Sequence, residues 1–381
     1  MKKILYFLPL VFAVAGIFFA LNVARTQKNN PIGVPVAESG KSLKLEVFVS
    51  NLYVPWSLAF TGEKRLLVAE RNGKIRVIEN GRLLEMPLFT FGNIYDQEEA
   101  GLMGLTVDPK YPENKYIYAS YAYNSNGKPR IKIVRLVDNG TTAVVDKVLI
   151  DNILAAPYHD GSRIKFGPDG KLYVTTGEAT QADLAADLLS KNGKILRLNS
   201  DGTIPDDNPF PNSPIFSYGH RNPQGIAWSD SGQLWETEHG PSGFDGPGGG
   251  DEINLIKAGK NYGWPKAHHE IKLAGTEYPK LLFTPAIAPA GAMFYSGKLF
   301  PEFKNNLFFT GLRGEGVWRA VISETDPETI ASFEKLGAIT VGRVRDIIEG
   351  PDGAIYFSTS NRDGRGSLRE GDDKIYKITT Q

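Results

Sequence analysis

Phe166-Gly167-Pro168-Asp169-Gly170-Lys171-Leu172-Tyr173-Val174 has a counterpart far down the chain, Gly350-Pro351-Asp352-Gly353-Ala354-Ile355-Tyr356-Phe357. In both, a Gly-Pro-Asp-Gly turn separates apolar runs, so Ile164 to Thr176 and Ile347 to Thr359 each read as strand, turn, strand. Looser copies stand at Leu58 to Val68, Leu105 to Tyr118 and Ile226 to Trp235. From about Leu43 onward the pattern is short apolar runs broken by Gly, Pro, Asp and Asn, with Arg71-Asn72-Gly73 as a tight hairpin signal. Units of roughly 40 to 60 residues made of short antiparallel strands predict an all-β fold, a β-propeller whose blades share a core and leave no long edge open. Dividing the chain after its N-terminal segment by that period gives six blades of four strands. A pair of β-sandwiches is the other architecture such strands allow, and the dispersed repeats argue against it. Helical periodicity is confined to Gln181 to Ser190, where Leu184, Leu188 and Leu189 share one face of a short helix or excursion.

Composition narrows the chemistry. The 381 residues are 41% hydrophobic, enough for a large core without disulfides, and there is no cysteine. Thiolate catalysis and Cys-ligated metals are therefore excluded, and any metal is held by oxygen or imidazole. Forty-three basic residues balance forty-three acidic ones, so there is no electrostatic footprint for nucleic acid.

Lys2 and Lys3 precede an apolar run from Ile4 to Leu21, the pattern of an export signal whose cleavage point follows Ala20 or Ala24. The run is also nearly long enough to span a bilayer, which makes an uncleaved anchor the alternative. Residues 1–25 are thus expected to be a signal peptide or N-terminal anchor, 26–42 a polar tether, and 43–381 the propeller. The body is expected outside the cytoplasm, periplasmic or extracellular, with a membrane as partner only through that anchor.

Propellers assemble sites where loops from several blades converge, so five unusual loops need a joint reading. In the first, Tyr158-His159-Asp160-Gly161-Ser162-Arg163, a turn histidine precedes a strand that ends at Thr175-Thr176-Gly177-Glu178. Such a pair has the parts of an oriented general base, against the plain alternative of a water-satisfied turn residue. In the second, Ser217 to Gly225, Arg221 and Asn222 reach one ligand or form a hydrogen-bonded corner. The third runs Glu238-His239-Gly240-Pro241, then a glycine-rich stretch Ser242 to Gly250, then Asp251-Glu252-Ile253-Asn254. A Gly-Pro pair leaves carbonyl oxygens pointing together, which suits calcium beside carboxylates; a loop of solvated acids is the alternative. The fourth sets Arg313 between Gly311 and Gly314. In the fifth, Gly342-Arg343-Val344-Arg345-Asp346, alternation directs both arginines to one face, where an anion or acid must satisfy them; Asp346 is the nearest candidate partner. Together the loops describe a funnel for a small polyanion.

On these residues the chain resembles the soluble pyrroloquinoline quinone (PQQ)-dependent sugar dehydrogenases, the aldose sugar dehydrogenase branch more than the glucose enzyme. The resemblance rests on Gln97 to Gly104, His159 to Arg163, Tyr218 to Gly225, Gly240-Pro241, Asp251 to Pro265, Gly311 to Arg313 and Arg343 to Asp346, in the family's order. It implies a six-bladed propeller that uses PQQ and calcium to oxidise the anomeric carbon of an aldose to the lactone, passing electrons to an external acceptor. By that resemblance His159 is the general base and Glu178 orients it. Arg221, Asn222, Arg313, Arg343 and Arg345 resemble cofactor contacts; Gly240 and Pro241 resemble calcium ligands through their carbonyls, and Glu252 and Tyr262 a second calcium site. Glu99, Tyr158 and Asp251 fall on the sugar side, where Tyr158 replaces an acid of the glucose branch and Glu99 its glutamine, so the identity of the sugar stays open. Two rivals stand beside this reading: a calcium-dependent propeller lactonase or hydrolase, which leaves the arginines idle, and a non-enzymatic exported propeller. No Gly-x-Ser-x-Gly elbow supports a serine hydrolase.

Overall fold

The computed structural model describes residues 43–337 and 339–380. The expected signal or anchor and the tether, residues 1–42, lie outside the described residues. Among the described residues no helix is long and apolar enough to cross a membrane.

The repeated turns form as their residues dictate. Gly170 N–H donates to Gly167 O at 2.9 Å, Asp169 caps the Lys171 amide, and the Tyr173 hydroxyl reaches back to the same carboxylate at 3.0 Å. The second copy repeats every contact: Gly353 to Gly350, Ala354 to Asp352, and Tyr356 Oη to Asp352 at 2.9 Å. Gly170 and Gly353 sit at φ +71° and +82°, in the left-handed region where a side chain is strained.

Each turn joins the two inner strands of a blade. The described residues form six antiparallel sheets. One blade is Gly161–Phe166, Leu172–Thr176, Lys194–Leu198 and Ile215–Tyr218; the next is Pro223–Trp228, Leu234–Glu238, Asp251–Ile256 and Leu281–Phe283. In the blade that starts at Pro55–Gly62 the outer strand is split into Arg82–Leu83 and Phe89–Thr90, both paired to Lys74–Glu79. The innermost strands contact one another in sequence order, and Val344–Glu349 returns to Pro55–Gly62. Leu43–Val49 pairs with Ile375–Thr380, so the start of the described chain completes the last blade and ties the ring together. The six-bladed, all-β expectation holds, and a pair of sandwiches is set aside.

The expected leucine face at Gln181 to Ser190 does not form. Only Ala182–Ala185 turns, as a 3-10 segment, and Leu189 is 97% exposed. Lys194 is the reason: its buried ammonium takes the carbonyls of Leu184, Ala185 and Asn192 at 2.8, 2.9 and 2.6 Å, so the segment folds around a cation.

Along the propeller axis the channel is plugged. Arg163, fully buried, meets Asp346 at 3.1 Å, Ser57 Oγ at 2.8 Å and Gln224 O at 2.9 Å, with its guanidinium over the Trp56 ring. Glycines let the strands close around this pair: a Cβ on Gly291 would fall 2.3 Å from Asp346 Oδ1, and one on Gly225 would fall 2.2 Å from Ala290 O. The cavity described next occupies one mouth of the channel. The other mouth is an apolar recess walled by Phe60, Phe166, Trp228 and Phe294.

Candidate active site

A cavity of about 380 Å³ is lined by residues of all five loops, among them Glu99, His159, Arg221, His239, Gly240, Pro241, Asp251, Arg313, Arg343 and Arg345. Residues remote in sequence thus share one wall because each lies at the same end of its blade.

His159 begins the strand Gly161–Phe166 from a left-handed turn, φ +65°, held by Glu99 on its amide at 3.2 Å and by the Ala179 amide on its carbonyl at 3.0 Å. Its Nδ1 lies 2.6 Å from Glu178 Oε1, with both side chains buried. A carboxylate at Nδ1 holds the proton there and presents the lone pair of Nε2, the ring nitrogen of a general base. Gly177 makes the close approach feasible, since a Cβ there would sit 1.9 Å from His159 O.

The arginines divide by their partners. Arg343 and Arg345 do face the same way, but the acid between them is Asp363, at 2.7 Å from Arg343 Nη2 and 4.0 Å from Arg345 Nη2. Asp346 points to the opposite side and serves Arg163, which corrects its expected pairing; alternation along an extended strand separates residue 346 from 343 and 345. Arg345 also donates to Gln224 Oε1 at 3.0 Å, while its buried Nε has no partner. Burial and the neighbouring Arg343 outweigh Asp363 and bring its pKa down to about 10. Arg313 is exposed on the rim and its side chain has no partner among the described residues. Arg221 is engaged by Asp245, Ser242 Oγ and His239 O.

Asn222 does not line the cavity. Its Oδ1 accepts from the Gly161 amide and from Gln224, and its Nδ2 reaches Glu99 at 3.3 Å, which places it beneath the site as a brace. Tyr158 also lies off the wall, its ring 5.0 Å under the guanidinium of Arg365. Glu99 stands between His159 and Asn222 with Arg365 3.5 Å away. Burial favours its neutral form, but the surrounding His239, His159, Arg365 and Arg345 hold the carboxyl down at about 2. Asp251 touches the cavity, yet its oxygens accept the amides of Gly240, Ile287 and Ala288 at 2.7 to 2.8 Å. It fixes the Gly240-Pro241 turn from behind.

Gly240 and Pro241 also border a small neighbouring recess together with Glu252 and Tyr262. The Pro241 carbonyl accepts one bond, from Gly249 at 3.2 Å. The Tyr262 hydroxyl is committed to Leu255 O and the Lys257 amide, which leaves its carbonyl as the group to offer. Glu252 is raised to about 8, first by burial and then by Glu238 and Asp251, and the buried Glu236 is raised by burial and then by Glu238 and Glu252. Crowded, desolvated carboxyls beside carbonyl oxygens are a donor set a hard cation relieves.

Ser217, His220 and Glu238 form a hydrogen-bonded chain, 2.8 and 2.9 Å, that looks like a hydrolytic triad. Ser217 and His220 are 0% exposed, and the Glu238 carboxylate also takes the Arg221 and Asn222 amides. It is the corner that positions Arg221, with no access for a substrate.

Sequence reasoning missed Asp363, His239, Arg365, Phe244 and Asp245. His239 is half-buried, with its Nε2 shielded and unpartnered, and its pKa falls to about 3, chiefly through desolvation and despite Glu99. The one available signal was the demand of two adjacent arginines for an acid, which named no position.

The family described as glucose/sorbosone dehydrogenase matches residues 52–370. The chain is 31% identical to aldose sugar dehydrogenase YliI of Escherichia coli, over 85% of this chain and 91% of that one. It is 27% identical to quinoprotein glucose dehydrogenase B of Acinetobacter calcoaceticus, over 87% of each. Among solved structures, the PQQ-bound form of the Streptomyces coelicolor aldose sugar dehydrogenase superposes with a TM-score of 0.79 at 32% identity, over 91% of this chain and all of that one. A match that runs from the first blade to the last and carries the cavity loops with it places the chain in the glucose/sorbosone dehydrogenase family.

Proposed function

We propose that this protein oxidises an aldose at its anomeric carbon to the lactone, with PQQ as the hydride acceptor and calcium beside it. The family makes it a sugar oxidoreductase of the quinoprotein kind; the calcium, the lactone product and the residue roles are this proposal. One observation carries it: a paired His159 and Glu178 share a cavity with Arg221, Arg313, Arg343 and Arg345. A hydrolase has no use for four guanidiniums around its base.

The residues fit the cofactor. Among the described residues Arg313 has no side-chain partner, and Arg345 Nε and His239 Nε2 are shielded donors or acceptors left unmet, as expected of a wall built for a polar ligand. Guanidinium forks match carboxylates in plane, and the carbonyls of Gly240 and Pro241 supply oxygen ligands on the same wall. Bound there, PQQ supplies an electrophilic quinone to take the hydride and calcium the Lewis acid that polarises it. The chain's own part is proton transfer and placement. His159 Nε2 accepts the proton of the C1 hydroxyl as the C1–H electron pair departs, and Glu178 stabilises the imidazolium that forms. Glu99, ionised and beside His159, is an acceptor for a sugar hydroxyl. Asp363 keeps Arg343 and Arg345 aligned.

The test combines the purified chain from residue 43 with calcium and PQQ, and follows reduction of an artificial dye with a panel of aldoses. Sugar-dependent reduction with PQQ bound is the expected result; absence of both overturns the proposal. Lactone hydrolysis without PQQ would favour the hydrolase instead. The basic and apolar N-terminal residues support export to the periplasm or beyond, which N-terminal sequencing of secreted protein checks.

A further inference from the structure

The glycine-rich stretch Ser242 to Gly250 projects two side chains onto the site. The Phe244 ring lies parallel to His159, 14° between planes and 5.8 Å between centroids, although 68% of its surface is exposed. Asp245 sits 2.7 Å from Arg221 Nε and 2.6 Å from Nη2, while its other oxygen accepts the Ser242 amide. Its carboxylate also comes within 4.8 Å of the ligand atoms of His159 and Glu178. Asp245 thus stands between Arg221 and the base, and the fork of Arg221 is already filled by an acid from the same chain.

The attachment of the stretch is lopsided. Its far end is fixed, with the Gly249 amide on Pro241 O and the Gly250 amide on Phe283 O. Among the described residues, the backbone of residues 243–248 makes no hydrogen bond; the Asp245 carboxylate makes the hydrogen bonds of this part, and Phe244 rests on His159. Gly243, Gly246, Gly249 and Gly250 all have positive φ, so the segment bends at residues that adopt other conformations freely.

We propose that Ser242 to Gly250 is a latch over the anion pocket, in which Asp245 occupies Arg221 until a planar polycarboxylate ligand takes its place. The inference rests on the PQQ reading for the identity of that ligand, though not for its charge. A second carboxylate cannot share the face of Arg221 that Asp245 covers without like-charge repulsion, so entry of the anion and release of Asp245 are one exchange. The same movement lifts Phe244 from His159 and opens the base to substrate.

The experiment compares the unmodified protein with Asp245→Asn and Asp245→Ser. It measures calorimetric binding of PQQ with calcium, binding of pyridine-2,6-dicarboxylate without metal, and the rate of chymotryptic cleavage after Phe244. A latch predicts tighter binding of both anions by the variants, on the order of tenfold, and faster cleavage of the unmodified protein once either anion is added. Equal or weaker binding by both variants, or a cleavage rate that neither anion raises, overturns the latch and makes Asp245 a brace for Arg221. If no protein binds PQQ yet the dicarboxylate separates them as expected, the cofactor reading fails and the latch stands. If neither anion binds any of them, the latch fails as well.

Discussion

His159 holds a backbone conformation that a non-glycine residue adopts at a cost of order 1 kcal/mol, and the fold maintains it with Glu99 and the Ala179 amide. Strain kept at a residue whose ring is paired to a buried carboxylate is the mark of a working side chain. His159→Ala is expected to lower kcat by roughly 10² to 10⁴ while PQQ binding persists, as stopped-flow dye reduction and calorimetry together show. Near-normal turnover would remove His159 from the role of base. Glu99 gives a pH signature. Its folded carboxyl sits near 2 against an ordinary 4.5, so its contribution is present above about 4.5 and is lost as pH falls through about 2. The melting temperature of the unmodified protein, measured against Glu99→Gln, should therefore show an advantage at pH 6 that narrows steadily toward pH 2.5. An advantage that grows on acidification would mean that Glu99 is neutral in the fold.

At the scale of elements, two glycines of one blade separate local from tertiary demand. Gly170 has open space around its missing Cβ, and only its φ of +71° resists a side chain. Gly170→Ala should cost about 1 kcal/mol in urea unfolding and leave turnover unchanged. Gly177 lies under the His159 carbonyl with no room for a Cβ, so Gly177→Ala should displace the base and cut kcat far more than Gly170→Ala does. Equal kcat for the two variants would show that His159 tolerates the shift. The Gly-Pro-Asp-Gly turns were legible in the sequence because all their contacts fall within a few residues. The leucines of Gln181 to Ser190 misled because a cation just outside their pattern, Lys194, takes the carbonyls that a helix needs.

For the whole molecule, the axial pair Arg163 and Asp346 joins two inner strands inside the channel. Removing one partner strands a buried charge, and Arg163→Met is expected to lose about 3–5 kcal/mol; adding Asp346→Asn should recover part of that. Additive losses in the double variant, read from denaturant unfolding, would show that the two side chains do not interact. Seen from the sequence, Arg163 was one end of a motif and Asp346 a neighbour of Arg343 and Arg345. Asp363 joins Arg343 across 20 residues, Gln224 joins Arg345 across 121, and Glu99 reaches His159 across 60. By itself the sequence determined the strands, their turns, the blade period and the residue types of a base beside an anion site, because these follow from neighbours along the chain and from alternation. Only the tertiary structure decided which acid faces which arginine, that Asn222 and Asp251 brace the wall, and that Asp245 occupies Arg221. Those pairings exist because closing the ring brings the same end of every blade to one mouth, and no local pattern encodes that meeting.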